Sequence, residues 1–368
     1  MFISSRRAIA FTAALGFVVG LLFLTVKYDG HVALESAVRS LTGQDKKTSF
    51  PVEHVVYNWT KVREESKFAY VQYTTDLDYL CNAMINFSRL KEFGTKHQMA
   101  LIYPNTWDEE GKSPVSMKRF RIINTIRTDY PHINLHPSPV LRLANNDPTW
   151  GESITKFHAF SLVNYTRVLA FDSDTLVLNN MDHYFEAPRA TLAVPRAYWL
   201  GDVRNTSVSV NEQILGSHVM LLEPNTRRYD RIVKDAMESG EFDMEVINRL
   251  FKGSAMILPH RGLALLTGEF KSKDHSRYLV GDGEDGEQWD AIAEVKRSFL
   301  VHFSDWPLPK PWMYHTDRQW RDAMPSCEGW EGRRRTRRGG DCPDRVVWKG
   351  FYEEHGRERA AKCGFING

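Results

Sequence analysis

Short apolar runs alternate with amphipathic stretches along the first half of the chain. The runs predict buried strands at Phe68–Thr74, Met99–Tyr103, Ile133–His136 and Val168–Asp172. Apolar residues at helical spacing predict helices after Asp76, over Met117–Thr128 and over Ser153–Tyr165. Strands that alternate with helices predict an α/β fold, in which helices flank a mostly parallel central sheet.

The second half of the chain continues this pattern less regularly. Apolar runs predict strands at Thr191–Pro195, Ile214–Leu222, Ala255–Leu258 and Phe299–Phe303. Helical spacing predicts helices at Arg227–Ser239 and Asp243–Phe251. Between the last two of these strands, Gly262–Arg297 shows no clear period, so we expect it to be irregular.

The longest apolar run lies at the start of the chain. Ala8–Val26 contains 19 residues without a charge, long enough to cross a bilayer, and Arg6 and Arg7 precede it. Because positive residues stay on the cytoplasmic side, we expect a single-pass type II anchor, with residues 1–7 as a cytoplasmic tail. A cleaved signal peptide is the alternative, but Thr25–Lys27 lacks the small residues of a cleavage site.

The remaining chain divides by composition. We predict a polar stem over 27–66, a catalytic domain over 67–325, and a C-terminal extension with cysteines and arginines over 326–368. Four N-glycosylation signals agree with a lumenal chain of the Golgi or a neighbouring compartment, and they begin at Asn58, Asn86, Asn164 and Asn205. Asn58 and Asn205 lie in loop-like surroundings and are the better candidates for modification.

Composition excludes several classes of protein. The net charge of +2 in 368 residues gives no argument for nucleic-acid binding. No G-x-G-x-x-G motif follows the first predicted strand, so a dinucleotide fold is unsupported. The glycine-rich Gly281–Gly286 is acidic and would repel a phosphate, so it is interpreted as a surface loop. The P-loop, H-E-x-x-H and G-x-S-x-G motifs are absent from the sequence. Four cysteines are too few for a disulfide scaffold, and one bridge is expected among Cys327, Cys342 and Cys363. Cys81 lies in a helical pattern and is interpreted as a small buried apolar residue.

The most informative polar residues follow the strand that begins at Val168. Asp172 and Asp174 flank Ser173, and in an extended chain both carboxylates point to the same side. Two carboxylates at the end of a buried strand are costly unless a positive charge lies between them. Divalent cations prefer oxygen ligands, and ligands of α/β sheets collect where strands end. We therefore predict a metal site here, against the alternative of two solvated loop aspartates.

Three separated signals then coincide: the Asp172-Ser-Asp174 sequence, the strand that carries His302, and Lys310 in Lys-Pro-Trp. Together they resemble glycosyltransferase family 8, the family of glycogenin and of bacterial lipopolysaccharide galactosyltransferases, over roughly residues 68–312. The resemblance is greatest to a fungal, membrane-anchored branch of N-acetylglucosaminyltransferases, also called glucose N-acetyltransferases. It implies a GT-A fold, a nucleotide-sugar donor, Mn²⁺ as the metal and transfer with retention.

The resemblance also assigns donor-binding residues. The family's Thr-Thr-Asn/Asp-x-x-Tyr segment, which holds the uridine, matches Thr74, Thr75, Asp76 and Tyr79. The lysine of the family's Thr-Lys helix corresponds to Lys156, and the lysine on the donor diphosphate corresponds to Lys310. Ser173, between the two aspartates, is assigned to donor binding with them.

The metal ligands implied by the resemblance are Asp172, Asp174 and His302. Two carboxylates, one imidazole and the diphosphate oxygens suit Mn²⁺ or Mg²⁺, and the nitrogen ligand favours Mn²⁺. Such an ion would neutralise the leaving diphosphate, and Lys156 and Lys310 would add positive charge at the same oxygens. We expect an oxocarbenium-like transition state, as in glycoside hydrolysis.

Two segments depart from the family pattern. The usual Asp-Gln-x-x-x-Asn reads Asp-Met-Glu-Val-Ile-Asn at 243–248, so Met244 replaces an amide near the reacting sugar. Asp243, the first residue of that segment, is retained as the catalytic candidate, with a plain helix cap as its alternative. The usual Asn-Ser-Gly-Val-Met reads Gly-Ser-His-Val-Met at 216–220. These departures leave the donor sugar and the acceptor open.

The sequence therefore predicts a metal-dependent, retaining glycosyltransferase that moves N-acetylglucosamine or glucose from a UDP-sugar to a glycan or glycoprotein. The alternatives are another donor, such as UDP-galactose or GDP-mannose, and an inactive homologue that organises other transferases. An intact metal set argues against the inactive homologue. Near the last strand, Trp306 is equally suited to stacking on a sugar and to packing, whereas packing is favoured for Trp312.

Overall fold

The computed structural model describes residues 66–144, 147, 150–200, 213–279, 287–330 and 341–367. The predicted cytoplasmic tail, the anchor Ala8–Val26 and all but the last residue of the stem lie outside these ranges, as do Asn58 and Asn205. In the described ranges, none of the helices has the length and apolar character that crossing a membrane requires.

Within the described ranges, seven strands form the central sheet. Their bounds are β1 Phe68–Tyr73, β2 Gln98–Pro104, β3 Ile133–Ser138, β4 Arg167–Phe171, β6 Leu192–Pro195, β7 Val219–Leu222 and β8 Met256–Leu258. The strand order is β3-β2-β1-β4-β7-β6-β8. All neighbouring pairs are parallel except those of β7, which runs antiparallel to β4 and β6. The mostly parallel α/β sheet predicted from the sequence is confirmed.

A second, smaller sheet contains three strands. They are β5 Thr175–Val177, β9 Ala264–Leu266 and β10 Leu300–His302, and β10 lies in the middle. The antiparallel pairing of β10 with β5 places His302 opposite Thr175. The backbone N–H of Phe303 donates to the carbonyl of Asp174 at 3.0 Å. The register of this sheet therefore brings the His302 strand beside the two predicted metal-binding aspartates.

Helices cover both faces of the central sheet. They are α1 Leu77–Glu92, α2 Pro114–Asp129, α3 Thr226–Ser239, α4 Asp243–Phe251, α5 His260–Leu263, α6 Ser276–Leu279, α7 Ala291–Arg297, α8 Asp317–Ala323, α9 Pro343–Lys362 and α10 Gly364–Asn367. Short 3₁₀ helices occur at Asn105–Asp108, Ser153–Ser161, Asp182–Glu186 and Thr267–Lys271. Asp76 caps α1, because its carboxylate accepts the backbone N–H of Tyr79 at 2.8 Å.

The central sheet separates two apolar cores. Alternate residues of a strand point to opposite faces, so Tyr70 joins one core whereas Ala69 and Val71 join the other. The core that contains Tyr70 also includes Trp348 and Phe351 of α9, both fully buried. The predicted C-terminal extension therefore packs on the same core as the strands that carry the site.

Two disulfides correct the interpretation of the cysteines. Cys81 of α1 is not a free buried thiol but is bonded to Cys363, which follows α9, and the second bridge joins Cys327 to Cys342. The bridge expected near the C-terminus is present. The pairing of Cys81 was missed because no local spacing relates two cysteines 282 positions apart.

One further expectation was wrong. Gly262–Arg297 was predicted to be irregular, but it contains β9 and two short helices, α6 and α7. The helix predicted over Ser153–Tyr165 is present as the 3₁₀ helix Ser153–Ser161. Periodicity could not resolve a strand of only three residues whose partner, β10, lies more than thirty positions away.

Candidate active site

The turn after β4 joins the central sheet to the second sheet, and it contains Asp172, Ser173 and Asp174. The backbone N–H of Asp172 donates to the carbonyl of His218 at 3.0 Å. The hydroxyl of Ser173 donates to the carbonyl of Tyr73 at 2.5 Å, and that of Thr175 donates to the carbonyl of Asp172 at 2.6 Å. These bonds fix the turn at the carboxyl end of β1, where a ligand of a parallel sheet is expected.

Lys156 joins two carboxylates on one side of this turn. Its Nζ lies 2.6 Å from Oδ1 of Asp172 and 2.7 Å from Oδ2 of Asp243. The hydroxyl of Ser217 donates to the same Oδ2 of Asp243 at 2.6 Å. Only 4% of Lys156 is exposed, so its charge is compensated almost entirely by these two aspartates.

His302 and Lys310 contact the other aspartate of the turn. Nε2 of His302 lies 3.2 Å from Oδ1 of Asp174, and Nζ of Lys310 lies 2.7 Å from Oδ2. Lys310 also donates to the backbone carbonyl of Phe303 at 2.5 Å. The structure therefore brings together the predicted metal ligands and both predicted phosphate-binding lysines.

Burial and these lysines set the protonation of the three carboxylates. Burial raises the pKa of Asp172 to about 6, although Lys156 opposes the shift. Burial also acts to raise the pKa values of Asp174 and Asp243, but the neighbouring cations outweigh it. Lys310 and His302 hold the pKa of Asp174 well below its usual range, and Lys156 with Ser217 lowers that of Asp243 to about 2. Asp243 is thus a stable anion at neutral pH.

The residues present fit a divalent cation. One ligand atom each from Asp172, Asp174 and His302 can be chosen so that all three lie within 4.8 Å of one another. Each of these residues is partly exposed, so the site is open to a ligand. Two carboxylates and an imidazole form a donor set that suits a first-row divalent ion and leaves positions for ligand oxygens.

The predicted nucleoside segment lies at the same edge of the sheet. The hydroxyl of Thr74 donates to the carbonyl of Asp76 at 2.5 Å, and Thr75 between them is half-buried. The ring of Tyr79 packs edge-on against Trp312, with centroids 5.2 Å apart. Because Trp312 follows Lys310 by two positions, the segment that begins α1 meets the chain that carries the phosphate lysine.

The two tryptophans that follow β10 differ in how they pack. Trp312 packs between Tyr79 and His355, as favoured from the sequence. Trp306 does not pack, because 74% of it is exposed. The even alternatives for Trp306 are thereby narrowed, since an exposed indole is not a packing residue of the core.

Three residues of the site were not assigned from the sequence. Ser217 holds Asp243, and the His218 ring lies 5.7 Å from that of His302. The side-chain amide of Asn248 bonds both the N–H and the carbonyl of Leu215, each at 2.8 Å. The signal for Ser217 and His218 in the sequence was the polar Gly-Ser-His interruption of an apolar run, whereas Asn248 ends the Asp-Met-Glu-Val-Ile-Asn segment.

A pair of aspartates with a histidine, matched by two lysines at the end of a mostly parallel sheet, defines a candidate site for a divalent cation and an anionic ligand. The chain is 37% identical over 300 residues to glucose N-acetyltransferase 1 of Gibberella zeae, covering 81% of this chain and 63% of the relative. It is 35% identical over 324 residues to the Aspergillus fumigatus protein of the same name, covering 84% and 79%. Mouse glycogenin-1 is 28% identical over 194 residues, 51% of each chain.

The chain therefore belongs to the fungal glucose N-acetyltransferase 1 family, a glycogenin-like family of glycosyltransferases. It spans less than two thirds of the length of the Gibberella zeae relative. No family model matches the chain. Among solved structures, the galactosyltransferase LgtC in complex with donor and acceptor sugar analogues gives a TM-score of 0.42 at 16% identity, over 69% of this chain and 95% of LgtC.

Proposed function

We propose that this protein is a metal-dependent glycosyltransferase of GT-A fold that transfers N-acetylglucosamine from UDP-N-acetylglucosamine to a glycan or glycoprotein acceptor. The observation that carries the proposal is the convergence of Asp172, Asp174 and His302, flanked by Lys156 and Lys310. The names of the fungal relatives support N-acetylglucosamine as the sugar, ahead of glucose.

We assign the metal site to the three ligands and propose Mn²⁺ as its ion, with Mg²⁺ as the second choice. The imidazole of His302 favours Mn²⁺ over Mg²⁺, which prefers oxygen ligands alone. A divalent cation bound there would neutralise negative charge that develops on the leaving diphosphate. Ligand binding would also release Lys310 from its bond to Asp174, so that its ammonium could reach a phosphate oxygen.

The donor's uridine would contact Thr74, Thr75, Asp76 and Tyr79, and its diphosphate would contact Lys156 and Lys310. In the transfer step, the bond between the sugar C1 and the diphosphate oxygen breaks, and its electron pair stays on the diphosphate. The acceptor hydroxyl oxygen forms the new bond to C1, and its proton passes to the departing diphosphate. Attack from the face that the diphosphate leaves gives retention of configuration.

Asp243 would act as an anion beside the reacting sugar and not as a general acid. Its pKa of about 2 leaves it without a proton to donate at neutral pH, because Lys156 and Ser217 stabilise the carboxylate. A fixed carboxylate stabilises positive charge that develops on C1 and the ring oxygen in an oxocarbenium-like transition state. Ser173, whose hydroxyl is bonded to Tyr73, would support the turn beneath the donor.

A donor panel tests this function. The purified full chain is incubated with Mn²⁺ and UDP-N-acetylglucosamine, UDP-glucose, UDP-galactose or GDP-mannose, and the released nucleotide is measured. We expect UDP-N-acetylglucosamine to be the best donor, with the anomeric product read by NMR. If only UDP-galactose or GDP-mannose is turned over, N-acetylglucosamine is not the donor sugar, although the protein is still a glycosyltransferase. No turnover and no UDP binding would show an inactive homologue.

We also propose that the protein is a single-pass type II membrane protein of the Golgi with a lumenal catalytic domain. Arg6, Arg7 and the uncharged Ala8–Val26 support this orientation. Of the two described glycosylation signals, Asn164 is exposed whereas Asn86 is fully buried. Alkaline extraction should leave the chain in the membrane pellet. A chain secreted in soluble form would show that the apolar segment is cleaved.

A further inference from the structure

The chain between His302 and Lys310 contains a buried carboxylate that the proposed function does not use. We call residues 303–310 the lysine loop, because they carry Lys310. Within it, the side chain of Asp305 has no solvent exposure, although its neighbour Trp306 is largely exposed. A buried carboxylate is unfavourable unless several partners compensate it.

Three partners outside the lysine loop compensate Asp305. Nε1 of Trp348 and the hydroxyl of Tyr352 donate to its Oδ2 at 3.0 and 2.8 Å, and both residues belong to α9. Nζ of Lys271 lies 2.9 Å from its Oδ1. The side chain of Asp305 thus attaches the lysine loop to α9 on one side and to the 3₁₀ helix Thr267–Lys271 on the other.

The attachment constrains the whole lysine loop. The backbone N–H of Leu308 donates to the carbonyl of Asp305 at 2.9 Å, which closes a turn. The Lys310 ammonium returns to the carbonyl of Phe303 at 2.5 Å, and the backbone N–H of Ser304 bonds the Thr267 hydroxyl at 2.9 Å. Movement of Asp305 would therefore move Lys310 relative to Asp174.

Helix α9 is itself firmly held. The Cys81–Cys363 bridge ties its end to α1. Arg89 of α1 forms buried ion pairs with Glu354 and Glu358 of α9 at 2.8 and 2.9 Å. Helix α1 begins at the proposed nucleoside segment, so one rigid unit supports both the nucleoside end and the phosphate end of the donor site.

We infer that Asp305 is a positioning residue for the donor diphosphate: bonded to Trp348 and Tyr352 of α9, it sets the lysine loop and thereby Lys310. Helix α9 then supports donor binding, although it contributes no residue to the site. This inference rests on the proposed function, because it needs a diphosphate ligand at Lys310.

Tyr352→Phe tests the inference with the smallest change, since it removes the hydroxyl and keeps the packed ring. Affinity for UDP with Mn²⁺ and affinity for uridine are measured on the full chain by calorimetry. We expect the Kd for UDP to rise by roughly 5-fold, because one hydrogen bond to a charged group is lost. Uridine affinity should stay within about 2-fold, because uridine has no phosphate for the lysine loop to contact.

A matched control is Tyr314→Phe, the same change at a tyrosine that is 87% exposed, and it should leave both affinities unchanged. Equal UDP affinity of Tyr352→Phe and wild type would overturn the inference, as would a parallel loss of uridine affinity. If Tyr352→Phe does not fold, Lys271→Met provides the same comparison with the same two outcomes. A wild-type chain that binds no UDP would instead reject the proposed function, and the inference with it.

Discussion

At the scale of single residues, charge pairing decides what the site can bind. Lys156 stabilises Asp172 and Asp243, whereas Lys310 and His302 stabilise Asp174. The neighbouring cations therefore favour the ionised forms of Asp174 and Asp243 and lower their pKa values, although burial opposes them. At Asp172 burial outweighs Lys156 and raises the pKa to about 6. The sequence predicted the identity of these residues because they occur in family order. It could not predict that Lys156 would contact Asp172 directly, since their separation in the chain says nothing about side-chain contacts.

Asp174→Asn tests the metal assignment. The variant keeps the size of the side chain but removes one anionic ligand, so UDP binding in Mn²⁺ should weaken by about 10-fold or more. The variant should still fold, because the amide oxygen can accept from Lys310, so UDP affinity can be measured on the folded protein. Asp129→Asn, at an exposed position, is the control and should bind UDP like the wild type. Unchanged UDP affinity in Asp174→Asn would show that the metal lies elsewhere.

At the scale of elements, the strands and helices of the first half were predictable, because each buries one apolar face. The sequence identified β1, β2, β4, α1 and α2 to within a few residues. The sequence did not reveal the short β9 or the role of α9, because both elements are stabilised by contacts with residues far away in the chain. Asn86 also shows that burial cannot be read from a short motif. It begins a glycosylation signal in the sequence, but in the structure its side chain is fully buried and donates to the carbonyl of Thr175 at 3.0 Å.

His355 of α9 should make stability depend on pH. Burial, with a contribution from Arg359, lowers its pKa from 6.5 to about 3. Its Nε2 bonds the side-chain oxygen of Asn82 at 3.0 Å, and its buried Nδ1 has no hydrogen-bond partner in the described structure. A proton added to Nδ1 would therefore have no hydrogen-bond acceptor in the core. The unfolded chain binds that proton more readily, so the stabilisation is complete above pH 6.5 and is lost as the pH falls towards 3.

We expect this histidine to remove about 2 kcal/mol of stability between pH 7 and pH 5. His355→Gln keeps a donor for Asn82 but cannot titrate. Urea unfolding of both proteins at pH 7 and pH 5 measures the difference. The wild type should lose about 2 kcal/mol more than the variant over this range. An equal loss in both proteins would contradict the assignment of a buried neutral imidazole.

The two disulfides should differ in their contribution to stability. Cys81–Cys363 closes a loop of 282 positions, whereas Cys327–Cys342 closes one of only 15. Replacing the first pair by alanines should cost about 5 kcal/mol, and roughly 2–3 kcal/mol more than replacing the second, because the chain entropy lost on closing a loop grows with the logarithm of its length. Urea unfolding of the two double variants measures both values. A larger cost for the Cys327–Cys342 pair would show that α9 does not depend on its link to α1.

At the scale of the whole molecule, the candidate site draws on residues between Thr74 and Lys310 and on both sheets. The central sheet supplies the turn with Asp172 and Asp174, and the second sheet supplies His302 through its pairing with β5. Family order made this convergence predictable from the sequence. The support behind it was not predictable, because Asp305, Trp348 and Tyr352 meet only when the C-terminal helix packs on the core.

Donor turnover with and without a divalent metal is the decisive measurement for the proposed metal-dependent transfer. The purified full chain is treated with EDTA, and UDP release from UDP-N-acetylglucosamine is followed before and after Mn²⁺ is added. We predict no release above background in EDTA and full recovery with Mn²⁺, because the ligands Asp172, Asp174 and His302 act through a bound cation. Equal release with and without the metal would contradict a metal-dependent transfer at Asp172, Asp174 and His302.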